Sequence, residues 1–379
     1  MPKRPYDLAI VGNGVAASAT LIALGRQRGA RIAVVAPART PPKIVVGEQL
    51  STAAVRLLDE LGLLASFRAQ GHVETHASFA SWGQPGLAQR SAIGDPRGAG
   101  WSLDRARFDR WLQEEAQARC DAEWIADTVV DFEHRRNDGL RLELRNGSPV
   151  DARFVVDASG RAAVLARRLT ARKQVDRLIA IVGSFDPVDP GVRPTAGTMI
   201  EAMPAGWLYS ALLPEGRFVV AWFGDADLLD GASSDRSAVW REHVEASRHT
   251  RERIRSAGYS LHTPAPSSLR RADASTAWCH ALAGSGWAAV GDAAAAFDPL
   301  SSHGLATSLW SGARVARELP RGWKGELAGL AVYDETFASG VALYLRQRRQ
   351  IYAAEGRFAD EPFWRRRRAA IDTGMTAAR

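Results

Sequence analysis

The 379-residue chain has no apolar run of about 18 residues, so no membrane-spanning helix is expected. It has two cysteines, Cys120 and Cys279, whose spacing does not suit a metal site. The expected setting is a reducing cytoplasm. Met1-Pro2-Lys3-Arg4-Pro5-Tyr6-Asp7 runs straight into a strand-like segment and leaves no room for a signal peptide. Lysine is scarce: almost all basic residues are Arg, and none between Lys43 and Lys173 is Lys. The net charge of +7 comes from Arg that is scattered rather than striped. No aromatic platforms interleave a basic stripe, so nucleic acid is not an expected partner. The one dense run, Arg365 to Arg368, reads as a solvated helix face. There is no internal repeat, low-complexity tract or long linker. The hydrophobic and charged fractions, 46% and 24%, are those of a globular protein, with length for a large core and two lobes.

The N-terminal segment carries a clear pattern. Asp7-Leu8-Ala9-Ile10-Val11 is a short apolar run of the kind that forms a buried parallel strand. Gly12-Asn13-Gly14 then predicts a tight turn. Ser18 to Arg28 has helical apolar spacing, and Arg31 to Ala36 is a second strand. This is a βαβ unit with GxGxxA at its first turn. Gly12 permits the turn, Gly14 lets the backbone approach a pyrophosphate, and Ala17 allows close packing. Val15 and Ala16 open the helix, whose N-terminus supplies N–H groups and positive dipole. Gly284-Ser285-Gly286-Trp287-Ala288-Ala289 matches the same pattern but precedes a strand, so it reads as chance. The acidic residue expected about 20 positions on, to grip a ribose, is missing. No Asp or Glu lies between Leu8 and Gly47. Backbone groups or Arg39 are the candidates to hold the ribose, and Arg39 on a 2′-phosphate keeps an NADP reading open at this turn.

The chain returns to this fold later. Ala152 to Arg161 is a strand ending in Asp157-Ala158-Ser159-Gly160, and Trp287 to Gly291 is another, ending at Asp292. Ligands of open α/β folds bind at such strand ends. Gly304 to Leu309 then reads as a helix start with a bare glycine at its N-terminus. That end offers backbone N–H groups to an electron-rich ligand.

Together these pieces resemble the fingerprints of the FAD-dependent aromatic hydroxylases, a superfamily that also contains the flavin-dependent halogenases. The resemblance runs from Tyr6 to about Arg317. It implies that the glycine turn holds the ADP part of FAD, that Asp292 contacts the ribityl chain, and that Pro299 to Gly304, with Leu305, lies along the isoalloxazine. Asp157 to Gly160 resembles the middle fingerprint. Trp101 to Asp109 resembles the helix start that places an Arg, here Arg105, beside the cofactor. Gly47-Glu48-Gln49-Leu50-Ser51 resembles the GE segment next to the flavin in the halogenase branch.

That branch also carries a catalytic Lys in its N-terminal half and a Trp-x-Trp-x-Ile-Pro motif. This chain lacks Lys between Lys43 and Lys173, and reads Gly206-Trp207-Leu208-Tyr209-Ser210-Ala211-Leu212-Leu213-Pro214 where the motif would fall. Both departures speak against halogenation. The finer resemblance is to halogenase-like flavoproteins that mature tryptophylquinone enzymes, the quinohaemoprotein amine dehydrogenases and the lysine and glycine oxidases. Asp298 to Ser302, Gly206 to Ser210 and Tyr352 to Arg366 carry it.

The expected architecture is α/β: a Rossmann-type FAD-binding domain from 1–177 and 267–317, an inserted antiparallel-sheet substrate domain at 178–266 and a helical region at 318–379. The inserted strands are Leu178 to Phe185, Gly197 to Met203, Trp207 to Leu213 and Arg217 to Phe223, with a helical crossover from Ser234 to Ala257. The resemblance implies hydroxylation of an electron-rich aromatic ring through a flavin hydroperoxide. The reaction would use O2, with electrons from NAD(P)H or a separate flavin reductase. The substrate is a small aromatic molecule or a Trp-containing polypeptide. His303 has a pKa suited to proton transfer, or else hydrogen-bonds loop backbone. Glu48 orients flavin or substrate, or forms a structural salt bridge. Trp82, Trp207 and Tyr209 form an aromatic wall on the substrate side, or pack in the core. Reduction of an isolated double bond and a non-catalytic, partner-binding flavoprotein remain as alternatives, and no metal site is expected.

Overall fold

The computed structural model describes residues 4–38, 47–92, 98–135, 139–186, 196–229, 236–259 and 268–369. Arg39 and Lys43 lie outside the described residues. In chain order the elements that matter are β1 (Tyr6–Val11), α1 (Val15–Leu24), β2 (Ile32–Ala36), β3 (Ala77–Ser81), β4 (Ala88–Ser91), α2 (Arg105–Arg119), β5 (Glu123–Ala126) and β6 (Val150–Asp157). They continue with β7 (Leu178–Phe185), β8 (Thr198–Met203), β9 (Gly206–Leu212), β10 (Phe218–Asp225), α3 (Arg236–Ala246), α4 (His249–Ser256), β11 (Ser268–Asp273) and β12 (Trp287–Ala289). The helices α5 (Gly304–Gly322), α6 (Ala328–Ala354) and α7 (Pro362–Arg368) follow.

Strands β12, β6, β1, β2 and β5 lie side by side and parallel. Ile10 sits between Val156 and Val34. Their unbroken apolar runs fit because both faces are covered, and almost every side chain of β1 and β2 is buried. Helix α1 is apolar all round because α5 and α2 pack on it. A Cβ at Gly312 of α5 would lie 2.5 Å from the Ala16 carbonyl oxygen, so only glycine lets α5 and α1 meet this closely. The second glycine-rich match closes a tight hairpin, pairing Gly284 with Trp287 ahead of β12.

The second sheet runs β11-β7-β10-β9-β8-β3-β4. It draws on 77–91 and 268–273 as well as on the expected insert. It is mixed rather than purely antiparallel, because β3 joins β8 in parallel. Its side chains alternate between two cores. Ile179, Ile181, Val220 and Trp222 face a core shared with α3 and α4. Ala180, Val182, Trp207, Ala221 and Phe223 face the other way, toward the C-terminal residues Tyr352, Phe363 and Trp364. The expected single crossover is two helices. Glu201 caps the start of the second by accepting the N–H groups of Arg248, His249 and Thr250 at 2.9, 3.0 and 2.7 Å.

The C-terminal Arg run is a solvated face only in part, at the exposed Arg365 and Arg366. Arg367 is buried and pairs with Asp225 at 2.6 Å, stacking over the Phe363 ring at 3.6 Å. Arg366 bridges Asp225 and Asp227. Among the described residues no helix is long and apolar enough to cross a membrane, and no group of His, Cys, Asp or Glu is placed to hold a metal.

Candidate active site

The glycine turn, the Arg-bearing helix start, the middle strand end and the late loop converge on one cavity of about 610 Å³ between the two sheets. Gly14, Val15, Ala16, Glu48, Arg105, Gly160, Trp207, Tyr209, Asp292, Pro299, His303, Gly304 and Leu305 all line it. Gly12 and Ala17 stand behind this wall. Gly12 has φ +110°, and a Cβ there would lie 2.3 Å from the Ala158 carbonyl oxygen. The requirement for glycine at Gly12 is thus a contact with the middle strand end as well as a turn conformation. At Gly14 and Gly304 a Cβ would meet nothing. Helices α1 and α5 both start at this cavity without a side-chain cap and without an acidic residue in the first turn. Their free N–H groups and dipoles face the same space.

Two sequence expectations fall elsewhere. Asp157 does not reach the cavity, because its carboxylate is used within its own loop. It accepts from Ser159 Oγ at 2.5 Å and from the N–H groups of Ser159, Leu165 and Ala166 at 3.0, 2.8 and 2.8 Å. Trp82 packs on the tail instead of lining the cavity. Its indole N–H donates to the Ile351 carbonyl at 2.8 Å, and its ring meets Trp364 edge-on at 5.0 Å.

Three arginines in and behind the cavity hold its walls. Arg105 donates to the Gly47 carbonyl at 2.8 Å and to Asp109 at 3.1 Å, so it ties the GE segment to α2. Arg161, absent from the sequence expectations although it directly follows Gly160, donates to the carbonyls of Ser275 and Phe297 at 2.6 and 3.2 Å. Its Nε lies 3.6 Å from Asp292. Arg172 donates to the Asp292 and Ala293 carbonyls at 3.1 and 2.7 Å. Burial pushes the Asp292 carboxyl above the usual range, against the pull of Arg161 and Arg172. Burial raises the Glu48 carboxyl as well, with Arg105 opposing. His303 sits at the cavity mouth with its ring partly shielded, which lowers its pKa, and no described residue hydrogen-bonds its ring.

The loop that carries Pro299 is anchored from behind. Asp298 caps Leu300 N at 3.0 Å and accepts from Tyr352 Oη at 2.6 Å and Arg348 Nε at 3.3 Å. Arg348 also binds Asp176 at 2.7 Å. The Tyr352 hydroxyl accepts the Trp207 indole N–H at 3.2 Å, and Trp207 stacks on Phe223 at 3.9 Å between ring centres. The aromatic wall and the loop therefore share one anchor on α6. No sequence motif signals Asp298, Tyr352 and Arg348 as a group, because they are brought together only by the fold.

A dinucleotide-type sheet whose chain returns to bring a second uncapped helix end to the same cavity, under an aromatic-walled second sheet, defines a two-lobed flavoprotein. Sequence comparison gives the particular family. The tryptophan halogenase family profile matches residues 90–378. The chain belongs to that family. A putative FAD-dependent oxidoreductase, LodB, of Marinomonas mediterranea is 26% identical over 376 residues, covering 96% of this chain and 97% of LodB. The 3-amino-4-hydroxybenzoate 2-monooxygenase of Streptomyces cremeus is 33% identical over 172 residues, 44% of this chain and 43% of that enzyme. Among solved structures, the myxobacterial chondrochloren halogenase CndH superposes with a TM-score of 0.83 at 22% identity, over 98% of this chain and 87% of its own. The peptidyl tryptophan dihydroxylase QhpG does so at 0.75 and 24%, over 98% and 80%. These two likenesses concern the fold. The protein is an FAD-dependent oxidoreductase of the halogenase superfamily.

Proposed function

We propose that the protein is a monooxygenase that hydroxylates an electron-rich aromatic ring, and that the ring is a Trp side chain in a peptide or protein. The observation that carries the reading is the single cavity in which two uncapped helix N-termini face an aromatic wall. The residues present fit FAD. Gly14 and Gly304 leave open space where a Cβ would project, and neither helix start carries an acid that would repel a phosphate or an electron-rich ring. Gly12, Gly14, Val15, Ala16 and Ala17 would hold the pyrophosphate end, with Arg105, Gly160 and Asp292 along the chain and Pro299, Gly304 and Leu305 at the ring. When bound, FAD supplies the redox chemistry with O2, and electrons come from NAD(P)H or a flavin reductase.

The chain's own contribution is position, charge and exclusion of water. N–H groups at the start of α5 favour negative charge beside them. Trp207, stacked on Phe223, gives the substrate ring a flat apolar wall, with Tyr209 on the same strand. His303, neutral at pH 7 by the direction of its shift, can accept a proton at the mouth. The QhpG name supports the polypeptide substrate, the LodB name supports FAD-dependent redox chemistry, and the Streptomyces monooxygenase supports ring hydroxylation. Halogenation is the second reading, favoured by the family itself. One assay tests both. FAD-loaded protein is reduced anaerobically and mixed with ¹⁸O2, chloride or bromide, and a Trp-containing peptide. A peptide carrying ¹⁸O supports the hydroxylase. A halogenated peptide replaces it with the second reading, and an unmodified peptide together with unmodified free indoles and phenols overturns it.

A further inference from the structure

Two of the buried polar groups that line the cavity have few or no hydrogen-bond partners among the described residues. Tyr209 lies on the face of β9 that carries Trp207 and Ala211. Its hydroxyl is buried and makes no hydrogen bond among the described residues. Glu48 is 5% exposed, and its carboxylate accepts only from nearby backbone N–H, that of Gly47 at 3.2 Å. No side chain among the described residues hydrogen-bonds it. Both groups line the cavity, and Glu48 is near enough for its charge to raise the Tyr209 hydroxyl further above the ordinary value that burial already lifts it from. Other buried carboxylates behave differently. Asp157, Asp298 and Glu201 each collect several donors. A buried hydroxyl and a buried carboxylate with so few partners cost stability, and a ligand that pairs with them recovers it.

We propose that Glu48 and Tyr209 together hold a ring-bound N–H or O–H of the aromatic substrate. Glu48 accepts the hydrogen, and Tyr209 donates to the oxygen where the ring carries a hydroxyl. The inference rests on the aromatic reading above, which it narrows to indoles, anilines and phenols with a free hydrogen. Rings whose nitrogen or oxygen is alkylated leave the carboxylate unpaired and are rejected. Sites built around buried polar groups discriminate strongly against analogues that lack the matching group.

The test is binding, not turnover. Dissociation constants of phenol, anisole, indole and 1-methylindole are measured by calorimetry on the FAD-loaded protein. Phenol is expected to bind about tenfold more tightly than anisole, and indole about tenfold more tightly than 1-methylindole. Glu48→Gln shrinks both ratios severalfold. Tyr209→Phe, which keeps ring and shape, weakens phenol binding severalfold and leaves indole binding unchanged. Equal affinities within each pair, no binding of any probe, ratios that survive Glu48→Gln, or phenol binding unmoved by Tyr209→Phe would overturn the proposal. Survival of the ratios would assign the discrimination to the bulk of the methyl group. The isotope assay fails independently: ring hydroxylation with flat binding ratios sinks this pairing alone, and steep ratios without ¹⁸O transfer sink only the hydroxylase.

Discussion

Tyr352→Phe deletes one oxygen atom and tests whether α6 positions the cavity. The hydroxyl is fully buried, donates to Asp298 at 2.6 Å and accepts from Trp207 at 3.2 Å. A hydrogen bond to a charged group is worth about 1.5–3 kcal/mol, and leaving the buried indole N–H unpaired costs about 1–3 kcal/mol. Asp298 keeps two partners, Arg348 and Leu300 N–H, so the losses do not simply add. The expected cost is about 2–4 kcal/mol, from the denaturant midpoint of FAD-free protein followed by Trp fluorescence. Because Asp298 immediately precedes Pro299, the same substitution should weaken FAD binding in a fluorescence titration. A loss below about 0.5 kcal/mol would show that the Asp298–Tyr352–Trp207 chain does not carry the weight its geometry implies. A full stability loss with unchanged FAD affinity would confine its role to the tail and free the loop from it.

Two further outcomes follow from the same structure. Gly12→Ala places a methyl 2.3 Å from the Ala158 carbonyl oxygen at φ +110°, whereas Gly304→Ala meets nothing. Gly12→Ala should lower the stability of FAD-free protein by more than about 2 kcal/mol, while Gly304→Ala should leave it unchanged and weaken only FAD retention. Similar melting curves for both variants would contradict the packing argument. His72 is buried between Phe67 and Phe108, accepts the Asp104 N–H at 3.3 Å, and is held down to about pKa 4, first by burial and then by Arg107. It is neutral in the folded chain and protonates more readily in the unfolded one. Its contribution is therefore complete above pH 6.5, falls as pH drops toward about 4, and stops falling below that. Denaturant midpoints measured across this window should drop in the wild type and flatten in His72→Gln. Parallel pH profiles would remove His72 from the acid response of the segment that leads into α2.

The parallel core was legible because strands buried on both faces must be written as unbroken apolar runs, and Leu8 to Val11 and Ile32 to Ala36 are. The glycine turn was legible for a related reason: its requirements are local to a few residues. The second sheet was read only in part. The three strands between Thr198 and Asp225 follow one another through short connections, but β3 reaches β8 from more than a hundred residues away. Nothing in Ala77–Ser81 says which sheet it will join. Asp157 shows the limit at the site itself. A strand-end aspartate looks the same whether it meets a ligand or, as here, the N–H groups of Leu165 and Ala166.

The tail marks the same limit from the other direction. Four consecutive arginines on a short helix read as solvated charge, because burying a guanidinium without a partner is prohibitive. The partner of Arg367 is Asp225, at the end of β10, and the two meet only after the second sheet has formed. Trp82 likewise looks like a pocket aromatic until its indole N–H is found on the Ile351 carbonyl. Pairs of this kind give the C-terminal helices a task that composition does not reveal. Arg367 and Trp364 fasten α7 to the second sheet, and Tyr352 and Arg348 of α6 reach the loop at Asp298. The cavity-lining residues at the two glycine-bearing helix starts were readable from local motifs. What sets the distance between the loop and the aromatic wall was not, because it is built from single side chains whose meaning depends on where distant strands come to rest.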